Sequence, residues 1–252
     1  MKNNSSQKHH FALYVPSLSS LIASCPLGNS FNVEDADFVH RIVSILRMQP
    51  EQSLTLFDTA MHGTVILKQI IKKRGVEFIL EQKQTNIRIM PELIAVIPVL
   101  KKEALEIAFD SLTQIGVTTI QLVFTQKSQQ QWSTKEQERA TRIIIAAAEQ
   151  SKNFAFAQLL APISFAQMFN SYTHIPTKLF FDPQGVPFIS FFKNNSAVTS
   201  LLYMIGPEGD LTEGEKKELL AHGFSFYALT PTILRACQAT SLAAGIIRSL
   251  VR

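Results

Sequence analysis

Residues 198–235, VTSLLYMIGPEGDLTEGEKKELLAHGFSFYALTPTILR, hold the residue types and spacings that can do chemistry in this chain. An apolar run over 198–205 breaks at Gly206-Pro207-Glu208-Gly209-Asp210. A later apolar segment stops at Ala228-Leu229-Thr230-Pro231-Thr232, just ahead of Arg235. Ligands of open α/β sheets sit outside the C-terminal ends of strands, so both breaks are candidate site loops. Gly206 and Gly209 permit positive φ and close approach of backbone N–H and C=O groups to a nucleoside-like ligand. Taken alone, such a loop is more often an ordinary turn. Glu208 fits a ligand or a general base, or the more common solvated carboxylate. Arg235 falls in the first turns of the last helical pattern, where the helix dipole disfavours a cation. That placement points to a task such as binding an anion or a base.

The elements that must position these residues follow from periodicity. Residues 93–100 form a buried-strand run, 101–115 an amphipathic helix stopped by Gly116, and 118–124 a strand, which together predict a βαβ unit with a parallel sheet. Ser133 and Thr134 stand three residues before Glu136 and Gln137, as in a capping box, and open a helix running to about Ser151. A strand over 178–182 ends in Pro183-Gln184-Gly185. Thr212 and Glu215 make another capping box, and Thr230 with Pro231 suits the N-cap and first position of the last helix. Ile233, Cys237, Thr240, Ala244, Ile247 and Val251 mark one face of that helix.

The N-terminal part has a different pattern. A strand-like piece covers 10–15, and residues 34–48 repeat apolar positions at 38, 39, 42, 43, 45 and 46 with helical period, ending at Gln49-Pro50. Strand character follows over 53–58, 63–71 and 76–80, and residues 81–88 read as a polar joint. One helix and several short strands predict a small α+β barrel. Arg41 and Arg47 on the helix, with Lys72, Lys73 and Arg74 on a hairpin tip, are candidate phosphate contacts; the tip alone serves equally as a solvated turn.

The chain has 252 residues, 46% of them hydrophobic, enough for a full core in one large domain or two modest ones. Its net charge of +4 and pI near 9.1 lean towards an anionic partner. Cys25 and Cys237 lie far apart, with neither a disulfide framework nor metal-ligand spacing, so no metal is expected and a reducing cytoplasm is the default. Ile22-Ala23-Ser24-Cys25 imitates a lipoprotein cleavage site, but Pro16 and three serines interrupt the segment before it. The longest apolar stretches are too short for the roughly 20 residues of a bilayer span, and no membrane partner is expected.

Several ordered motifs resemble the RsmE family, bacterial 16S rRNA uracil-N3 methyltransferases of the SPOUT class. Met204-Ile205-Gly206-Pro207-Glu208-Gly209-Asp210 is similar to its LIGPEGG loop, and residues 229–235 to its LGxRILR helix start. His40 to Met48 resembles the early H-x3-V-L-R-M helix, Leu56-Phe57-Asp58 the next strand, 101–116 the K-x-E…LGV helix, and 146–151 the A-A-x-E-Q end. The likeness covers nearly the whole chain. It implies an α/β protein with an N-terminal PUA-like β-barrel (residues 1–85) for RNA, followed by a SPOUT-type α/β methyltransferase domain (residues 86–252) with a C-terminal trefoil knot. It also implies a homodimer that binds S-adenosylmethionine and methylates N3 of a uridine in 16S rRNA of the small ribosomal subunit. Carried over by position, the cofactor pocket is Phe181, Asp182, Ile205, Gly206, Pro207, Glu208, Gly209, Leu229, Thr230, Ile233 and Leu234. Arg235 is then the catalytic cation that favours the uracil anion.

The chain departs from the family where RTET is replaced by Arg235-Ala236-Cys237-Gln238, where Thr230 replaces a glycine, at Ser151-Lys152-Asn153, and where Asp210 replaces a glycine. The lost glutamate and the bulkier Thr230 motivate a second reading, a catalytically weakened member acting as an RNA-binding or ribosome-assembly protein.

Overall fold

A computed structural model describes residues 10–71, 75–128, 131–194 and 198–250. The chain divides into two compact units, Met1–Ile87 and Arg88–Arg252.

In the first unit, β1 (Ala12–Tyr14), α1 (Leu18–Ile22), β2 (Ser30–Val33), α2 (Ala36–His40), β3 (Ser53–Phe57), β4 (Met61–Ile71) and β5 (Gly75–Thr85) follow in order. The strands form one sheet in the order β1-β3-β4-β5-β2, and β1 and β2 are its edges. Among the described residues no pairing joins these edges into a closed barrel. Alternate positions of β4 and β5, including Val65, Leu67, Val76, Phe78 and Leu80, are fully buried and face Leu18, Ile22, Phe38 and Ile42 from the helical segments. Residues 81–85, expected as a joint, continue β5, because Gln82, Lys83, Gln84 and Thr85 pair with β4. Lys83 then turns its ammonium onto the carbonyls of Ile22, Ala23 and Cys25 at the end of α1, where helix carbonyls lack internal partners.

The expected helix over 34–48 is two pieces. Asp35 caps α2 by accepting from the Phe38 N–H at 2.7 Å, after which Arg41–Ile45 widens into a π turn. The wider turn carries Val43 and Ile45 off the core, leaving them 41% and 62% exposed, while Phe38, Val39 and Ile42 stay buried. That is why a stripe of uniform helical period over-counted the buried face.

The second unit alternates strand and helix: β6 (Glu92–Pro98), α3 (Lys102–Ile115), β7 (Thr119–Phe124), α4 (Thr134–Ser151), β8 (Gln158–Ser164), α5 (Phe165–Ser171), β9 (Thr177–Pro187), α6 (Ile189–Asn194), β10 (Ser200–Ile205), α7 (Glu213–Ala221), β11 (Phe224–Ala228) and α8 (Ala236–Leu250). The six strands are parallel, in the order β11-β9-β10-β6-β7-β8. A strand buried on both faces needs apolar residues at consecutive positions, as β6 has. Leu93, Ala95 and Ile97 pack in one layer with residues of α3, α4 and α8, whereas Ile94 and Val96 pack in the other with residues of α5 and α7. Gly116 ends α3 with φ 91, a conformation that a Cβ disfavours. Ser133 and Glu136 cap α4 reciprocally, as expected. Among the described residues no helix is long and apolar enough to cross a membrane.

Candidate active site

Three parallel strands, β11, β9 and β10, lie side by side, and the loops leaving their C-terminal ends enclose a cavity of about 490 Å³. Phe181, Asp182 and Pro183 come from β9, Ile205, Gly206, Pro207, Glu208 and Asp210 from the end of β10, and Leu229, Thr230, Thr232, Ile233, Leu234 and Arg235 from the segment after β11. Ala236 and Ala239 of α8 complete the wall. Ten of the eleven residues singled out as cofactor contacts line this cavity, together with Arg235. Gly209 is the exception: its carbonyl accepts from Lys127 Nζ at 2.7 Å instead.

The β9 contribution is a detour in the strand. β11 pairs with β9 up to Phe226–Phe180 and resumes at Tyr227–Val186, so residues 181–185 have no partners on β11. They bow away at the level of the cavity, placing Asp182 in its wall. Asp182 Oδ1 accepts the Gln184 N–H at 2.8 Å and shapes the turn back. The return passes so close to Tyr227 that a Cβ at Gly185 would stand 2.6 Å from its backbone.

The β10 loop uses its residues differently from the expectation. Neither Gly206 nor Gly209 has positive φ; the left-handed residue is Asp210, at φ 59. Its N–H closes the turn onto the Pro207 carbonyl at 2.9 Å. Asp tolerates this region better than most side-chain-bearing residues, which explains how Asp210 stands where the resemblance places a glycine. Thr212 and Glu215 then cap α7 reciprocally, and the second oxygen of buried Glu215 accepts the Gln126 N–H at 2.7 Å. The cap thereby ties the start of α7 to the loop after β7.

The segment after β11 corrects the helix boundary. Thr230 is not an N-cap and Pro231 is not helical; α8 begins at Ala236, and the Ala239 N–H donates to the Arg235 carbonyl at 2.9 Å. Thr230 Oγ1 donates instead to the Thr232 carbonyl at 2.7 Å, folding 230–232 into a local turn. Ile233 is therefore 86% exposed instead of lying on the buried face of α8 with Cys237, Thr240, Ala244 and Ile247. Arg235 precedes the helix on an exposed segment, its position fixed by the start of α8. That start is anchored from below: the wholly buried Tyr203 of β10 donates to the Thr240 carbonyl at 3.1 Å. Burial holds the Tyr203 hydroxyl far above the ordinary phenol pKa, so it remains a donor.

The charges around the cavity are unevenly compensated. Asp182, 5% exposed, pairs with Lys216 Nζ at 2.7 Å, and the same ammonium lies 2.8 Å from Asp210 Oδ2. Burial works against the Lys216 charge, but hydrogen bonds and charge from the two carboxylates outweigh it and raise its pKa. Glu208 is half-exposed and 4.0 Å from Lys101, a weak contact. Lys216, Lys127 and Tyr203 were absent from the residues singled out by sequence. Each acts through a partner distant in the chain, which local spacing does not reveal.

In the first unit, Arg41 begins the π turn and Arg47 follows it with φ 52. Lys72, Lys73 and Arg74 lie outside the described residues. Among the described residues no cluster of metal-ligating side chains occurs.

Known proteins share both the sequence pattern and the architecture. The RNA methyltransferase domain family matches residues 88–248. "Ribosomal RNA small subunit methyltransferase E" of Synechocystis is 25% identical over 227 residues, covering 84% of this chain and 71% of that protein. "Ribosomal RNA small subunit methyltransferase E 2" of Borreliella burgdorferi is 22% identical over 239 residues, covering 90% and 95%. The crystal structure of a ribosomal RNA small subunit methyltransferase E from Neisseria gonorrhoeae, bound to S-adenosylmethionine, superposes with a TM-score of 0.82 at 23% identity, covering 96% of this chain and 98% of that one.

Proposed function

The chain belongs to the RNA methyltransferase domain family, and from that membership we propose that it transfers a methyl group from S-adenosylmethionine to N3 of a uridine in 16S rRNA. It is an S-adenosylmethionine-dependent rRNA methyltransferase of the RsmE family. The observation that carries the finer reading is the convergence of the Ile205–Glu208 backbone, Asp182 and Arg235 on one cavity at the strand ends.

That cavity suits the cofactor. Its volume of about 490 Å³ lies within the roughly 300–1,000 Å³ of small-molecule sites. Its wall pairs apolar Phe181, Ile205, Leu229 and Leu234 with the half-exposed carboxylate of Glu208, a composition matched to a nucleoside ring beside polar groups. Backbone groups of 205–208 and 229–234 hold the nucleoside part. Bound there, S-adenosylmethionine supplies an electrophilic methyl carbon.

The protein's own task is to hold a uracil in line with that carbon and to favour loss of the N3 proton. Positioning supplies much of the rate. Arg235, exposed at the cavity rim, places a permanent cation beside O2 or O4, where charge develops as N3 ionises. The first unit, as a PUA-like module with Arg41, Arg47 and residues 72–74 against phosphates, holds the rRNA; the loops after β9, β10 and β11 belong to a trefoil knot. A second copy covers the apolar groove of about 390 Å³ beside the cavity, formed by Pro187, Phe188, Ile189, Phe192 and Ile246, giving a cytoplasmic homodimer.

Calorimetric titration with S-adenosylmethionine tests the pocket: saturable one-site binding is expected, and absence of binding removes the reading. Mapping methylated uridines in small-subunit rRNA, with the gene deleted and restored, tests the target. One N3-methyluridine should disappear and return; methylation at another atom would overturn the N3 assignment.

A further inference from the structure

Lys216 lies in the first turns of α7, outside the cavity wall, yet it contacts two residues of that wall. Its Nζ is 2.7 Å from Asp182 Oδ2 and 2.8 Å from Asp210 Oδ2, so one ammonium joins the β9 detour to the β10 loop. The arms differ in exposure. The side chains of Lys216 and Asp182 are 15% and 5% exposed, that of Asp210 58%. The inner pair is therefore shielded from salt, while the outer pair is screened.

Both carboxylates are also oriented by backbone. Asp182 Oδ1 accepts from the Gln184 N–H and Asp210 Oδ1 from the Leu211 N–H, leaving the Oδ2 atoms for the ammonium. Asp210 is the left-handed residue that closes the β10 loop, so the turn that ends the loop and the residue that latches it are the same. A covered carboxylate stripped of its cation is strongly disfavoured. Without Lys216, Asp182 would have to swing towards water, and the detour that carries it would move.

We propose that Lys216 is a positioning residue for S-adenosylmethionine binding: it neutralises and orients the Asp182 carboxylate and latches the 205–210 loop through Asp210, presetting the cavity before the cofactor enters. The inference rests on the cofactor reading above and adds to it a residue that does not touch the ligand. Because the latch acts on the shape of the binding site, it governs cofactor affinity more than turnover, which a general anchor of α7 would not do.

The test compares full-length wild type with Lys216→Met, Lys216→Arg and Asp210→Asn by calorimetric titration with S-adenosylmethionine, thermal unfolding and steady-state kinetics. Lys216→Met should weaken binding roughly tenfold and raise KM with kcat changed by less than about twofold, a split that marks lost binding rather than lost chemistry. Lys216→Arg, which keeps the cation, should recover most of the affinity. Asp210→Asn tolerates the same backbone and removes only the outer arm. Its binding should fall by roughly threefold, with a shallower dependence on salt than wild type because the screened pair is gone. Adding Asp210→Asn to Lys216→Met should cost nothing more, since both remove one latch. Unchanged affinity in folded Lys216→Met, or an unchanged KM with kcat falling only with the folded fraction, would overturn the proposal. Should Lys216→Met not fold, Asp210→Asn decides, and wild-type affinity and salt slope in that variant would overturn it. Failure of wild type itself to bind would remove the cofactor reading and the latch together, whereas binding by wild type with no effect of the variants removes the latch alone.

Discussion

Gly185 and Tyr227 meet backbone against backbone: a Cβ on the glycine would stand 2.6 Å from the carbonyl carbon and the nitrogen of Tyr227. The contact lies where β9 rejoins β11 after the 181–185 detour, so the approach that forbids a side chain also returns the chain after Asp182. Gly185→Ala should destabilise the protein by about 1–3 kcal/mol, the usual cost of forcing an extra methyl into packed structure. It should also weaken S-adenosylmethionine binding, because the strain is relieved by moving the loop that lines the cavity. Thermal unfolding and calorimetric titration of the same preparation check both effects; loss of stability with full affinity would detach the detour from the binding site.

Arg235 stands before α8 at the cavity rim, and the proposed mechanism assigns its guanidinium the role of catalytic cation. Arg235→Ala should lower methyl transfer to small-subunit rRNA by roughly 10²–10³-fold, the range for losing one group that stabilises developing charge, with S-adenosylmethionine affinity close to wild type. Arg235→Lys should restore only part of the rate, since an ammonium lacks the planar fork. Turnover unaffected by the alanine would take Arg235 out of the mechanism.

Features written locally in the chain were legible before the fold was known. The caps at Ser133–Glu136 and Thr212–Glu215, the stop at Gly116 and the doubly buried runs of β6 and β10 are each set by residues within a few positions. The glycine-proline loop and the 229–235 segment are recognisable as candidate site loops because turn chemistry there interrupts apolar runs, and both line the cavity. What escaped depends on distant partners. The 181–185 detour exists only relative to β11, and Asp182 is tied to Lys216 from α7. β8 gives no periodic signal because it is half-exposed along its length without alternation, whereas α5 carries a local signal, the Ser164–Gln167 capping box, on a helix too short to show a period. Composition sets the start of α8 too early, because the Thr230 hydroxyl donates to Thr232 in a turn that imitates a cap. Positive φ is expected at the glycines and falls on Asp210, whose carboxylate is paired with Lys216 in a contact the sequence does not display.

The guanidinium of Arg248 closes the second unit at the end of α8. It donates to the Gly116 carbonyl at 3.0 and 2.7 Å, to Pro91 at 2.6 Å and to Ile89 at 3.3 Å. These carbonyls belong to the left-handed cap of α3 and the entry to β6, so one side chain gathers three elements. Arg248→Ala should cost about 1.5–3 kcal/mol, the range for hydrogen bonds to a charged group, and lower the melting temperature without changing the cofactor stoichiometry. Arg248→Lys should recover less than half, because a single ammonium cannot span the fork. A melting temperature unmoved by the alanine would show that the cap of α3 holds without it.

Asp58 gives the first unit an acid-sensitive joint. Its carboxylate is buried and accepts from the backbone N–H groups of Ser19 at 2.6 Å and of Ala60 and Met61 at 2.8 Å each. Burial pushes its pKa up, but these donors outweigh burial and hold it below the ordinary carboxylate value. A carboxylate whose folded pKa is depressed contributes stability that is present above its unfolded pKa, about 3.9. That contribution is lost as pH falls through the lower, folded value. Denaturant unfolding followed between about pH 5 and pH 2 should therefore show stability falling with acid in the wild type, and a shallower fall in Asp58→Asn, which has no proton to gain at this position. The asparagine should also be less stable at neutral pH, since its amide nitrogen would face the Ser19 N–H donor to donor. Superimposable pH profiles would remove Asp58 as a source of the acid sensitivity and leave its donors with a purely geometric role in joining α1 to the turn between β3 and β4.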